Sequence, residues 1–399
     1  MPRAVSAILA CLALAACDPG SAPPDAEPPG DAAVSTDAGP ERPAYRRWLK
    51  VELPGTVCGN GSQYKFWVNY IPGATDTLVY FEAGGACWDY PSCSGAEGIR
   101  GAAHPDGIED DLIDLWALGS PLLRRNRTEN PLATWNMVFV PYCTGDVHIG
   151  RRDAVYEDPT GENPPLEWHH RGYDNVQAVA GWMEEQFPEL DRLLVSGCSA
   201  GGAGAINNYY FLRTRLEPER GYLLNDSGPI FPSDSNSAAL HERIREAWDV
   251  DGVLADGLPP FADEIIGDLG AINSVLAEQF PRDRLVTTFF RLDYDYSLYS
   301  YERFYEPTPD REEIYRRWWE DTQALTTVYD AHDNLAYYIP FYRELNNSHC
   351  LTLVEWAGTE IEEDGLDLQS YLQALLDDDA PLTSHLEEAR EGPHADLAP

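Results

Sequence analysis

Lysine is almost missing from this chain: Lys50 and Lys65 are its only two among 399 residues, and arginine carries nearly all the positive charge. With 67 acidic against 28 basic residues, the formal net charge is −39. A surface of that sign repels phosphate backbones, which excludes nucleic-acid binding, and it offers no long-range attraction to a polyanionic substrate. Cysteine pairs at CxxC spacing are absent, so the zinc-module reading falls, and neither a metal nor another cofactor is expected. The apolar stretch AVSAILACLALAA, residues 4–16, is too short to cross a bilayer. No internal repeat is visible, and no Pro-rich linker divides the chain after about Pro43, which predicts one domain.

The apolar stretch follows the basic start Met1-Pro2-Arg3 and ends in small residues, the pattern of a secretory signal. Its last four residues, LAAC (Leu14 to Cys17), resemble a bacterial lipobox. The expectation is a signal peptide over 1–16, lipidation of Cys17, and an exported cell-envelope lipoprotein held to the membrane by that lipid; the alternative is ordinary cleavage with Cys17 incidental and the protein secreted. Residues 17–44 are Pro, Ala and Asp with little that could bury a core, and read as a tether. Residues 45–380 have globular composition, and 381–399 read as a polar tail that frays. In an oxidising compartment the remaining cysteines, Cys58, Cys87, Cys93, Cys143, Cys198 and Cys350, suffice for three disulfides. Sequence leaves fifteen pairings open. Cys87 and Cys93, close in the chain, are the first candidate pair.

Short apolar runs bounded by turn formers recur along the globular part: TLVYFEA from Thr77, NMVFVPY from Asn136, RLLVSG from Arg192, GYLLNDSG from Gly221 and LVTTFFRLD from Leu285. Parallel strands buried on both faces look like this. Helical patterns such as YDNVQAVAGWMEEQF and REEIYRRWWEDTQALTTVYDAH lie between several of them. The alternation predicts an α/β fold, a three-layer sandwich with a mostly parallel central sheet. KFWVNY reads as an antiparallel edge, CLTLVEW as the last strand, and DLQSYLQALLDD as a helix after it.

One segment joins strand to helix through chemistry. Gly197-Cys198-Ser199-Ala200-Gly201 fits G-x-S-x-G between the strand RLLVSG and the helix GAGAINNYYFLRTRL. Such an elbow holds a serine nucleophile in a strained turn that small neighbours tolerate, beside a helix N-terminus that favours developing negative charge. The bland alternative is a tightly packed turn. A nucleophilic serine needs a base and an orienting carboxylate further along the chain. Of the histidines after the elbow, His385 and His394 fall in the tail, His332 in an acidic stretch and His241 on a polar helix, whereas His349 stands in a polar turn before an apolar run. Asp293 and Asp295 both follow the apolar run ending TTFFRLD. For the oxyanion, the N–H of Ala200 and the glycine pair Gly84-Gly85 after TLVYFEA are the candidates.

These residues together resemble the pectin acetylesterase family, to which the Notum carboxylesterases also belong. The likeness is carried by VYFEAGGACW, VPYCTGDVHIG, SGCSAGGAGA, LLNDSGP, LDYDYSLYS and NNSHC. It implies an α/β-hydrolase-like fold and hydrolysis of O-acyl esters without a metal. It assigns attack to Ser199, proton transfer to His349 and the orienting role to Asp295 in preference to Asp293, with Gly84, Gly85 and Ala200 holding the oxyanion. Ala83 and Ala86 depart from the family's usual glycine and tryptophan, which bears on the acyl pocket. The charge fits poorly with polygalacturonate, although Arg151, Arg152 and Arg171 offer a local basic rim.

The expectation is therefore a serine esterase acting on an acylated, chiefly acetylated, carbohydrate or similar polyol. Two other readings use the same residues: a hydrolase of longer acyl chains or polyesters, and an inactive relative that binds ligands through its aromatic segment YDYSLYSYERFY. Oligomeric state is not legible.

Overall fold

The computed structural model describes residues 45–98, 101–127 and 129–389. The expected signal peptide, Cys17 and the tether lie outside the described residues. Eleven strands are present among the described residues: β1 (Trp48–Val57), β2 (Gln63–Asn69), β3 (Thr77–Phe81), β4 (Asn136–Val140), β5 (Arg152–Tyr156), β6 (Leu166–His170), β7 (Arg192–Cys198), β8 (Arg220–Asp226), β9 (Arg284–Thr288), β10 (Leu335–Ile339) and β11 (His385–Leu386). Nine form one sheet in the order β1-β2-β4-β3-β7-β8-β9-β10-β11, while β5 and β6 pair as a separate hairpin. Pairing is antiparallel for β1–β2 and β2–β4 and parallel from β4 to β11. Helices cover both faces, as predicted for an α/β sandwich. No described helix is long and apolar enough to cross a membrane.

The central strands explain their own composition. Every residue of β3, β4 and β9, and all but the first of β7 and β8, is buried. Both pleat faces are thus covered, so these strands are continuous apolar runs with no polar alternation. The elbow helix, Ala200–Leu216, begins with small buried residues from Ala200 to Ala205, which lets it approach β7, β8 and β3. Gly201 shows how close: a Cβ there would stand 2.2 Å from the carbonyl oxygen of Phe81, so no side chain fits without moving the strand.

Three sequence expectations are corrected. The segment KFWVNY lies in β2, which is internal, and the edge is β1. CLTLVEW is not a strand: the N–H groups of Leu351 and Thr352 are consumed by the buried carboxylate of Asp226, so they cannot form a ladder. The strand in that part of the sheet is β10, LAYYI, ahead of the turn. Finally, the segment expected to fray is stitched down as far as Glu387. His385–Leu386 pairs in parallel with β10, and Glu387 takes the Phe341 N–H on its carboxylate while donating its own N–H to Ile339.

The six cysteines form three disulfides, Cys58–Cys143, Cys87–Cys93 and Cys198–Cys350. The second is the pair that chain proximity favoured. The third closes 152 residues of chain, which in the loop-entropy picture removes roughly 5 kcal/mol of freedom from the unfolded chain.

Candidate active site

Strand register brings the site together before any side chain is considered. Phe81 of β3 pairs with Gly197 of β7, Cys198 of β7 with Asp226 of β8, and Asp226 with Thr288 of β9. All four strands run parallel, so the segments beginning at Glu82, Ser199, Ser227 and Phe289 leave the sheet side by side at its carboxyl edge. That edge is where open α/β sheets place their ligand sites.

Ser199 sits on the elbow with φ 58° and ψ −121°, a conformation costing a non-glycine residue roughly 1–3 kcal/mol. It caps the elbow helix, is half-buried, and is followed by Ala200 as the first helical residue. The first amides of a helix have no carbonyl partner within it, so the Ala200 N–H is of the kind available to an incoming anion.

His349 is tied to the residue beside Ser199 through one covalent link. The Cys198–Cys350 disulfide joins the residue before Ser199 to the residue after His349, with Cα atoms 5.6 Å apart. A ring nitrogen of His349 lies within 4.8 Å of both sulfurs. The loop that carries the ring is strained: Asn346, Asn347, Ser348 and Cys350 all have positive φ. It is held by bonds from Arg343 N–H to Ser348 Oγ (2.8 Å) and from Asn346 Nδ2 to the His349 carbonyl (2.7 Å).

The carboxylate on the ring is Asp293. Nδ1 of His349 lies 3.0 and 2.9 Å from its two oxygens, and Asp293 is fully buried. The choice of Asp295 is thus corrected. Asp293 is the last residue before the helix Tyr294–Tyr301 and also caps it, accepting the Tyr296 N–H at 3.0 Å. Asp295, inside the first turn, points to Asn347, whose Nδ2 donates to it at 3.2 Å. The pattern aromatic-or-aliphatic then Asp fits both positions, and only the helix start separates them. Burial opposes the imidazolium of His349, but the charge and hydrogen bond of Asp293, with the charges of Asp295 and Asp226, outweigh it and raise the ring to about 9. Burial raises Asp295 above the usual carboxylate range, with Asp293 adding to it.

Gly84 and Gly85 follow β3 in an extended loop beside the elbow. A Cβ on Gly84 would meet Ala103 and the Tyr142 ring at 2.6 Å, so the loop can lie this deep only with glycine there. Two residues without an assigned role in the sequence hold it. Glu82, buried, accepts from Trp116 Nε1 (2.7 Å) and the Tyr142 N–H (2.8 Å) and pairs with His104 Nε2 (3.0 Å). Tyr299 grips Ala86, its hydroxyl accepting the Ala86 N–H at 2.6 Å and donating to the Ala86 carbonyl. Glu82 lies in the recognised motif, whereas the long-range contact of Tyr299 leaves no sequence signal.

The sulfurs of the two Cys/His groupings close enough to suggest metal ligation, Cys87-Cys93-His170 and Cys198-His349-Cys350, are already joined in disulfides. Of the three arginines expected to form a basic rim, Arg151 pairs with Asp256 and Arg171 with Asp153 and Asp174, whereas Arg152 donates to the Glu246 carbonyl.

On this α/β-hydrolase-like fold, the groups that nucleophilic acyl transfer requires are all present: a hydroxyl on an elbow, an imidazole backed by a buried carboxylate, and a glycine loop after a neighbouring strand. The chain belongs to the pectinacetylesterase family, whose family model matches residues 48–253, more than half of the chain. That match contains the glycine loop and the elbow and ends before Asp293 and His349. Pectin acetylesterase 7 of Arabidopsis thaliana is 30% identical over 156 residues, covering 38% of this chain and 37% of that protein. Palmitoleoyl-protein carboxylesterase notum1 of Xenopus laevis is 27% identical over 184 residues, covering 43% of this chain and 34% of that protein. The chain spans well under half the length of these curated relatives. The solved structure of the Wnt deacylase Notum from Drosophila shares the fold, with a TM-score of 0.59 at 19% identity over 87% of this chain and 98% of that one.

Proposed function

We propose that the chain is a serine esterase that removes short acyl groups, chiefly acetyl, from a carbohydrate or similar polyol. The observation that carries this is the His349 ring, bonded to buried Asp293 and stapled through Cys198–Cys350 beside the Ser199 elbow. Asp293 accepts a hydrogen bond from Nδ1–H, which leaves Nε2 as the acceptor. Nε2 takes the proton from Ser199 as Oγ adds to the ester carbonyl. The N–H groups of Ala200 and the Gly84-Gly85 loop receive the tetrahedral oxyanion. Collapse expels the alcohol, protonated from His349, and leaves an acyl-serine. Water, deprotonated by the same imidazole, then adds to the acyl carbon, and Ser199 departs with its proton restored and the carboxylic acid released.

Two features favour a small acyl group on a neutral substrate. Tyr299 bonds to Ala86 in the glycine loop and Tyr296 to the Pro229 carbonyl after β8, so the helix Tyr294–Tyr301 bridges those two segments with aromatic rings. Trp88 and Trp318 pack against those two tyrosines. The net charge of −39 and the paired arginines disfavour a polyanionic polymer. In a series of p-nitrophenyl esters, kcat/KM is expected to fall at least tenfold from acetate to octanoate. A rise with chain length would favour the long-acyl hydrolase instead. A chain that turns over no ester and resists a fluorophosphonate would favour the binding protein. The amino-terminal run ending at Cys17 supports export and lipid anchoring in a bacterial envelope.

The base must be neutral to act. With His349 raised to about 9, kcat/KM is expected to climb with pH and level off only above that value. Asp295→Asn removes a negative charge that favours the imidazolium. Its ascending limb is expected at lower pH, with the plateau nearly unchanged, when both profiles are recorded by pH-stat on an acetyl ester.

A further inference from the structure

We infer that Asp226, at the end of β8, is a positioning residue that holds the nucleophile elbow and the His349 loop in register. The inference rests on the proposed roles of Ser199 and His349. Asp226 is fully buried between the two segments. Its main-chain carbonyl accepts the Ser199 N–H at 2.8 Å, fixing the elbow residue itself. Its side chain reaches the other way. Oδ1 accepts the Leu351 N–H at 2.9 Å, and Oδ2 accepts both the Thr352 N–H (2.8 Å) and the Thr352 hydroxyl (2.6 Å). Ser227, next in the chain, donates to Oδ1 at 3.2 Å, and its Oγ accepts the Cys350 N–H at 3.0 Å. Three consecutive amides after His349 are therefore satisfied by this one pair of residues.

The strain in the loop shows what such a clamp does. Residues 346–348 and 350 hold positive φ without a glycine among them, and Ser199 and Ser227 do the same. Conformations of this kind persist only where the surroundings over-determine them. The disulfide ties the two segments at one point. The carboxylate supplies the orientation, because two oxygens bonded to two successive amides fix the direction in which the chain leaves His349. A displacement of about 1 Å in a reacting group costs on the order of a hundredfold in rate.

The test is Asp226→Asn, whose amide nitrogen would face one of the two loop N–H groups. Measured beside the native protein and Ser199→Ala on p-nitrophenyl acetate, the variant is expected to lose about a hundredfold in kcat with KM within twofold. Thr352→Val, which removes the hydroxyl bond to Asp226 and keeps the Thr352 N–H, is expected to lose several-fold in kcat, and Thr352→Ser to keep the native value. Asp226→Asn with native kcat, or with its loss in KM alone, would overturn the inference. Should Asp226→Asn fail to fold, native kcat in Thr352→Val would do the same. A readout independent of turnover separates this from failure of the esterase reading. The downfield Nδ1 proton resonance of His349 is expected to weaken or vanish in Asp226→Asn and to be altered in Thr352→Val. An unchanged resonance refutes the positioning role whether or not the native protein hydrolyses esters.

Discussion

Ser199→Ala is expected to lower kcat on p-nitrophenyl acetate by roughly a millionfold while leaving the fold and melting temperature nearly unchanged. The size follows from the proposed mechanism, in which the acyl-enzyme bond is made to this one oxygen, and no other described nucleophile shares the elbow. The residual rate would come from the amides of Ala200 and the glycine loop acting on water attack, the contribution that survives loss of the nucleophile in such sites. The fold tolerates the change because Ser199 makes no side-chain cap bond to its own helix, and alanine loses only a hydroxyl. Active-site titration with a fluorophosphonate, followed by intact mass, gives the second reading: one adduct on the native chain and none on the variant. An adduct on Ser199→Ala, or turnover within tenfold of native, would remove Ser199 from the chemistry.

Asp293→Asn is expected to cost about ten-thousandfold in kcat, and Asp295→Asn to leave the alkaline plateau nearly unchanged. In the proposed mechanism the Asp293 carboxylate, which lies against Nδ1, accepts from it and so leaves Nε2 to take the proton of Ser199. An asparagine presents either an amide donor or a single carbonyl to Nδ1. The donor selects the tautomer protonated on Nε2, which cannot take a proton from the serine. Asp295 bonds to Asn347 and acts on the ring only through its charge, so its loss moves the pH profile without blocking proton transfer. Parallel kcat measurements at the alkaline plateau decide between them. Equal losses in both variants, or the larger loss in Asp295→Asn, would return the orienting role to Asp295.

The contrast between these two aspartates marks how far the sequence reaches. Both stand after the same apolar run, and the family likeness favours a Tyr-Asp pair, which Asp295 completes with Tyr294. The structure starts a helix at Tyr294, with Asp293 as its cap, and this turns Asp293 toward His349 and Asp295 toward Asn347. The run CLTLVEW misled for a related reason. Its apolar residues suit a strand, but its amides are claimed by a carboxylate that lies more than a hundred residues earlier in the chain.

By itself the sequence determined whatever depends on local pattern. The buried parallel strands follow from continuous apolar runs, the elbow from a serine among residues too small to obstruct a tight strand-to-helix turn, and the short Cys87–Cys93 link from chain proximity. Tertiary structure decided what depends on contacts between distant segments. It chose Asp293, brought Tyr299 to the glycine loop, joined Cys198 to Cys350 and set Asp226 beneath both halves of the site. The physical reason is one of range. Backbone preference and hydrophobic period are written within a few residues of one another, whereas a buried carboxylate finds its donors only when strand order has laid separate loops along the same edge of the sheet.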